Sequence, residues 1–399
     1  MTLYTQGVPA EELNPRIEKL QSHLAANNFD GALILQKTDL FYFSGTVQQG
    51  WLYIPVQGQP ILMIFKEFDR AQAESPLERV VSLLSPKFIP EVLDSHGYPG
   101  VRRLGMELDV LPTNLYLQFK TIFSAAAIDD VSTEIRLVRA VKSAYEIKKI
   151  RESAIYADRV MARVPQLLAE GKTEIALAGE VESYARSLGH QGLVRMRLWG
   201  SELFYGHLMS GASAAVPSYM SSPTGGPGTS PAIGQGSGFK TIASGEPVLV
   251  DYVFAKEGYI ADQARIFSVG RVDDELLRAH DAMLAVQDLA MARGVPGTVA
   301  GDLYEMMKAC ADDAGYEDFF MGVGERRIRF TGHGLGLELD EFPFIAKGQT
   351  IALEAGMTLA LEPKVIMPGK GVVGTENTFL VTDNGLEALT TITNAIVSV

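Results

Sequence analysis

The chain has 399 residues, 47% hydrophobic and 21% charged, which is ordinary for a globular protein and too long for one average domain. A formal charge of −13 excludes a nucleic-acid partner and docking on an anionic membrane, because both need a basic face. The single cysteine, Cys310, excludes an intrachain disulfide and fits a reducing compartment.

The first residues show no basic segment followed by an apolar run, so no signal peptide is read. No apolar stretch reaches the roughly 18–20 residues that span a bilayer. Both readings place the protein in the cytoplasm. Residues 10–27 have helical spacing, with Ile17, Leu20 and Leu24 on one face. Short apolar runs follow at 31–35, 51–56, 60–65, 80–84 and 103–108, separated by helical or turn segments at 87–95 and 114–123. Alternating strands and helices predict an α/β layer domain over 1–138. From Ser132 to Leu168 the pattern becomes one long helix, read as the connector into a second domain, 139–399. A helix over 173–188 and a strand over 193–198 come next. Residues 210–246, rich in Gly, Pro and Ser, read as a long loop. They contain no phosphate-binding glycine pattern.

Val248 to Phe267 reads as two apolar strands around a turn, Ala255-Lys256-Glu257-Gly258. A turn centred between Lys256 and Glu257 sets Asp251 directly opposite Asp262. Facing carboxylates in apolar strands need a counter-charge, and a divalent metal ion is the simplest one. Helices over 274–293 and 299–314 follow, and from Phe319 the chain returns to strands and glycine-rich turns. Here His333 stands among glycines in FTGHGLG, which predicts an exposed and approachable imidazole. Glu362 and Glu376 each read as a carboxylate inside an apolar strand. They straddle a turn centred on Gly369, so a symmetric loop opposes them too. Four acids and one imidazole suit Mn, Co, Fe or Zn better than a thiolate-type structural site. Two ions would balance four carboxylates, activate a bridging water and polarise a carbonyl.

The order Asp251, Asp262, GHGLG, Glu362-Pro363, Glu376 resembles the "pita-bread" metallopeptidases. These include methionine aminopeptidases, Xaa-Pro aminopeptidases and prolidases, with creatinase as a metal-free relative. The small α/β domain ahead of Arg136–Ile147 resembles the creatinase and prolidase branch. The resemblance implies an α+β protein of two domains and a homodimer. It implies a dinuclear aminopeptidase or dipeptidase acting on Xaa-Pro or similar bonds of short peptides. By that resemblance Asp251 holds one metal, Asp262 and Glu376 bridge both, and His333 and Glu362 hold the other. Glu362 also serves as general base, and Arg265 orients a carboxylate ligand. Two departures stand out. Asp340 replaces one family histidine and Ser218 another, and in the family these histidines hold the substrate carbonyl. His207 is the candidate substitute, and an insert over 219–238 follows Ser218. The departures motivate an alternative, a non-peptidase hydrolase or lyase of a small metabolite on the same metal site. A further alternative is a non-catalytic protein-binding module.

Overall fold

The computed structural model describes residues 7–220, 222–325 and 327–399. Residues 1–6, where a leader was sought, and Ser221 of the 219–238 insert lie outside the described residues. The chain divides into two compact units, Met1–Arg139 and Ala140–Val399.

The first unit is a six-stranded sheet. Its strands are β1 (Gly31–Ile34), β2 (Gly50–Pro55), β3 (Ile61–Ile64), β4 (Val80–Ser82), β5 (Arg103–Met106) and β6 (Ala127–Asp130), in the spatial order β4-β3-β2-β1-β5-β6. Pairing is antiparallel between β1 and β2 and between β2 and β3, and parallel elsewhere. Leu33, Tyr53, Ile61, Met63, Leu104 and Phe119 form its core. The parallel pairs are joined by crossovers that contain helices, β2 and β3 by a short hairpin link, and β1 and β2 by a link that carries the helix Lys37–Ser44.

The expected single helix over 132–168 is two helices, Ser132–Ala140 and Ala144–Leu167. Between them Lys142 donates its backbone N–H to Gly356 O at 2.9 Å, which diverts the chain. Ser143 then restarts the helix through a reciprocal capping box with Glu146.

The second unit is built on sheets that are antiparallel except where the terminal strand Val397–Ser398 pairs parallel with Tyr259–Ser268. One sheet contains β7 (Gly206–Ser210), β8 (Val248–Lys256), β9 (Tyr259–Ser268) and, after the strands below, the terminal β17 (Val397–Ser398). The other contains β10 (Phe330–Gly334), β11 (Glu341–Ala346), β12 (Thr358–Leu361), β15 (Asn377–Thr382) and β16 (Gly385–Ala388). A separate hairpin pairs β13 (Lys364–Met367) with β14 (Gly371–Gly374). Helices Asp274–Arg293 and Ala300–Asp313 cover one face of this unit. They bury Leu276, Met283, Val286, Leu303 and Met307 against Leu359, Leu361, Val365 and Phe379. Among the described residues no helix is long and apolar enough to cross a membrane.

One expected strand is absent and an unexpected one stands near it. Leu193–Leu198 is irregular, its ladder pairing limited to the isolated bridge Met196↔Leu339. Its side chains do not alternate between a buried and a solvated face, since Leu193 and Leu198 are both exposed. The edge of β8 is instead taken by Gly206–Ser210, whose Gly, His and Ser carry little strand preference.

Candidate active site

The β8–β9 hairpin closes with a two-residue turn, Glu257 at φ 51° and Gly258 at φ 89°. Two successive left-handed residues make the tight turn that matches the twist of its strands. The turn is centred between Glu257 and Gly258, one residue later than expected, and this shifts the register by two. Asp251 pairs with Ala264, and Asp262 pairs with Val253. The expected direct opposition of Asp251 and Asp262 is therefore corrected to a diagonal one, with Cβ atoms roughly 7–8 Å apart. A slip of two positions keeps both side chains on one face, where a slip of one would have separated them.

Other strands bring the remaining residues to that face. His207, on β7, pairs with Asp251 from the far side. Glu376 pairs its backbone with Ala264 through two 3.2 Å hydrogen bonds. The β13–β14 register, carried two residues beyond Lys364↔Gly374, sets Glu362 against Glu376 as expected. Neither glutamate sits inside a strand. Glu362 follows the end of β12 and Glu376 precedes β15, so each carboxylate projects where a strand terminates.

His333 lies in β10 between Phe344 of β11 and Ala360 of β12. The flanking glycines do not expose it, for the imidazole is only 4% accessible. They let neighbouring backbone approach. A Cβ on Gly332 would stand 2.3 Å from Ala360 O, and one on Gly334 would stand 2.2 Å from Phe342 O. His333 Nδ1 donates to Gly334 O at 3.0 Å, leaving Nε2 as the acceptor facing Asp262 Oδ2 at 3.9 Å. Asp340 Oδ1 lies 3.8 Å from His333 Nδ1.

These groups share one cavity of about 290 Å³, whose lining includes His207, Asp251, Asp262, His333, Asp340, Glu362 and Glu376. Ser218 does not line it; its hydroxyl donates to Gly234 O within the Gly/Pro/Ser-rich loop. Arg265 is buried and reaches no carboxylate. It donates to the carbonyls of Ala264, Glu376, Ile392 and Thr393 and to Asn377 Oδ1, so it positions Glu376 through the backbone.

The residue absent from the sequence reading is Lys364. Its ammonium, 1% exposed, donates to Asp251 Oδ2 at 2.8 Å, Glu362 Oε2 at 2.7 Å and Glu376 Oε2 at 2.7 Å. The signal was present: Lys364 stands two residues after Glu362 in an apolar run, and period two keeps both on one face.

The electrostatics follow from burial. Desolvation, reinforced by Asp251, raises the Asp262 carboxyl to about 7. Desolvation likewise raises Glu362 and raises Glu376 well above the carboxylate range. Burial alone would lower His333 and Lys364. The carboxylates around each reverse that and raise both. His207 is lowered, chiefly by desolvation.

Two donor sets have metal-holding geometry, Asp262–His333–Glu376 and Asp251–Glu362–Glu376, each with ligand atoms within 4.8 Å of one another. The first fits a divalent ion: it combines imidazole with carboxylates, and the buried Asp262 Oδ1 has no hydrogen-bond partner. In the second set all three residues already hold the Lys364 ammonium.

Residues 148–383 match the model of metallopeptidase family M24, and residues 16–141 match the creatinase/prolidase N-terminal domain. The chain belongs to metallopeptidase family M24. This M24 protein is 27% identical over 380 residues to an Xaa-Pro dipeptidase of Pyrococcus furiosus, covering 95% of this chain and 98% of the relative. It superposes on the prolidase of Pyrococcus horikoshii with a TM-score of 0.80 at 25% identity, covering 96% of this chain and 100% of that one. An Xaa-Pro dipeptidase from Bacillus anthracis, at 22% identity and TM-score 0.82, shares the fold over 97% of this chain and 100% of its own. The protein is a metal-dependent hydrolase with the two-domain pita-bread architecture.

Proposed function

We propose that this M24 protein hydrolyses Xaa-Pro or similar bonds near the N-terminus of short peptides, as an aminopeptidase or dipeptidase. The observation that carries the reading is the buried donor set Asp262, His333 and Glu376 on the wall of one cavity. The Xaa-Pro dipeptidase of Pyrococcus furiosus and the prolidase of Pyrococcus horikoshii support the substrate class. The apolar wall formed by Met196, Leu198, Trp199, Leu203 and Met220 suits a prolyl ring or other apolar side chain.

A divalent ion, drawn from Mn, Co, Zn or Fe, supplies Lewis-acid polarisation of the scissile carbonyl when bound. Asp262, His333 and Glu376 would hold it. Glu362, its carboxyl raised by desolvation, is suited to take the nucleophile's proton at a carboxylate oxygen. His207 Nε2, buried and without a hydrogen-bond partner, is free to donate to an oxygen developing charge on the substrate. Asp340 steadies the His333 ring from its Nδ1 side. Cytoplasmic location and a homodimeric state belong to this reading, the first supported by the single cysteine.

A second reading, a non-peptidase hydrolase or lyase of a small metabolite, draws on Ser218 and Asp340. Ser218 is tied to Gly234, and an acid stands at 340, so two substrate-holding groups of the family are replaced. Assay of the Mn- or Co-loaded protein on Xaa-Pro dipeptides and tripeptides decides between them. Release of the N-terminal residue is expected. Metal-loaded protein that turns over none of these peptides would overturn the peptidase reading.

A further inference from the structure

We propose that Lys364 is a built-in cation in the seat of one of two metal ions, so that this chain binds a single divalent ion, on Asp262, His333 and Glu376. The inference rests on the metal-dependent reading above and sharpens it to one ion.

An ion held by Asp251, Glu362 and Glu376 would stand roughly 2.0–2.2 Å from a carboxylate oxygen of each. Lys364 Nζ stands 2.7–2.8 Å from one oxygen of each of the same three residues. Two cations centred among one trio of carboxylates exclude each other by volume and by charge. The lysine is also committed by the backbone. Lys364 opens β13 in register with Gly374, and the strand pleat directs its side chain to the face of Glu362. With 1% exposure, the side chain has no solvent to retreat to. Withdrawal would strand a buried ammonium away from its three acceptors.

The other half of the cluster lacks such a cation. Asp262 Oδ1 is buried without a partner, and His333 Nε2 faces the other oxygen of that carboxylate, Oδ2, at 3.9 Å. No lysine or arginine is salt-bridged to Asp262 among the described residues. One half therefore carries its counter-charge in the sequence, and the other must import it.

The distinction has a chemical consequence. An ammonium neutralises charge and donates hydrogen bonds, but it offers no open coordination position. Lewis-acid work then falls to one ion, and Glu362 is anchored by a fixed side chain.

The test uses the full chain equilibrated with Mn(II) and desalted, with metal content by mass spectrometry and the spin state by electron paramagnetic resonance. One ion per chain with an uncoupled six-line spectrum is expected. Two ions with an exchange-coupled spectrum would overturn the proposal. Lys364→Ala should admit a second ion and produce that coupled spectrum, while Lys364→Arg stays at one. A Lys364→Ala protein that is folded by circular dichroism and still holds one ion would also overturn it. Because the wild-type stoichiometry decides alone, failure of the variant to fold does not rescue the idea. Protein that binds no ion overturns both this inference and the metal reading. One ion without Xaa-Pro turnover upholds the role of Lys364 and removes only the substrate class.

Discussion

The two halves of the carboxylate cluster solve one electrostatic problem in different ways. Around Asp251 and Glu362, three carboxylates converge on a lysine delivered by the same hairpin as Glu362. Around Asp262 and His333, a buried carboxylate oxygen has no partner, and the local geometry is that of a ligand set. Glu376 belongs to both halves. The difference teaches that a carboxylate pair in apolar strands reports a need for positive charge, and does not by itself report a metal. Which cation answers depends on whether a lysine lies within two residues on the same face.

The largest effect should come from the half without a resident cation. Asp262→Asn removes a ligand that nothing replaces, and losing even outer-shell support of a metal costs 10–100-fold. Metal affinity and hydrolysis should therefore fall by more than about 100-fold. Titration calorimetry with Mn(II) checks this, and retention of wild-type affinity would erase the contrast between the halves.

Next in size is the lysine half. Breaking a buried ion pair by removing one partner costs about 3–5 kcal/mol. Metal-free Lys364→Ala should lose stability of about that size in chemical denaturation, and added divalent metal should restore a large part of it. A loss unaffected by metal would show that the vacated carboxylates do not accept an ion.

The pH dependence should have opposite signs with and without metal. Asp262 is raised to about 7 by desolvation, so the folded chain holds this proton more tightly than the unfolded one. The metal-free protein should thus lose stability as pH rises from about 4 to about 7. Glu362 and Glu376, raised for the same first reason, act in the same direction. An ion requires these ligands deprotonated, so stabilisation by metal should grow over that window and be lost on acidification. Melting temperatures across the window, with and without Mn(II), would run parallel if the carboxylates were not the ligands.

The smallest effect concerns the turn that sets the register. Gly258→Ala places a Cβ at φ 89° and should cost about 1–2 kcal/mol, leaving metal content unchanged. Changed metal content would mean that the hairpin register is less firmly held by its long strands than described.

The same features explain how much was legible in the sequence. The β8–β9 strands are evident in the sequence because their runs are long and mostly apolar, broken only by a few polar residues such as Asp251 and Asp262. Their register lies two positions from the one expected because Glu257 accepts a left-handed conformation, which centres the turn between Glu257 and Gly258. The parity survived, and with it the shared face of Asp251 and Asp262. The glycines around His333 were read as exposure, whereas their purpose is close backbone approach beneath a buried imidazole. Strand β7 escaped notice because pairing to β8 recruits it, and its own residues carry little preference. Lys364 was overlooked because a lysine beside an acid is usually a solvated pair. Only the convergence of Asp251 and Glu376, more than 100 and 12 positions away, buries it.

The most direct test is an anomalous-difference map from a crystal of the full chain grown with Mn(II). The account predicts one peak, bounded by Asp262, His333 and Glu376, with the Lys364 side chain still reaching Asp251, Glu362 and Glu376. Two peaks, with Lys364 displaced from the second, would contradict it.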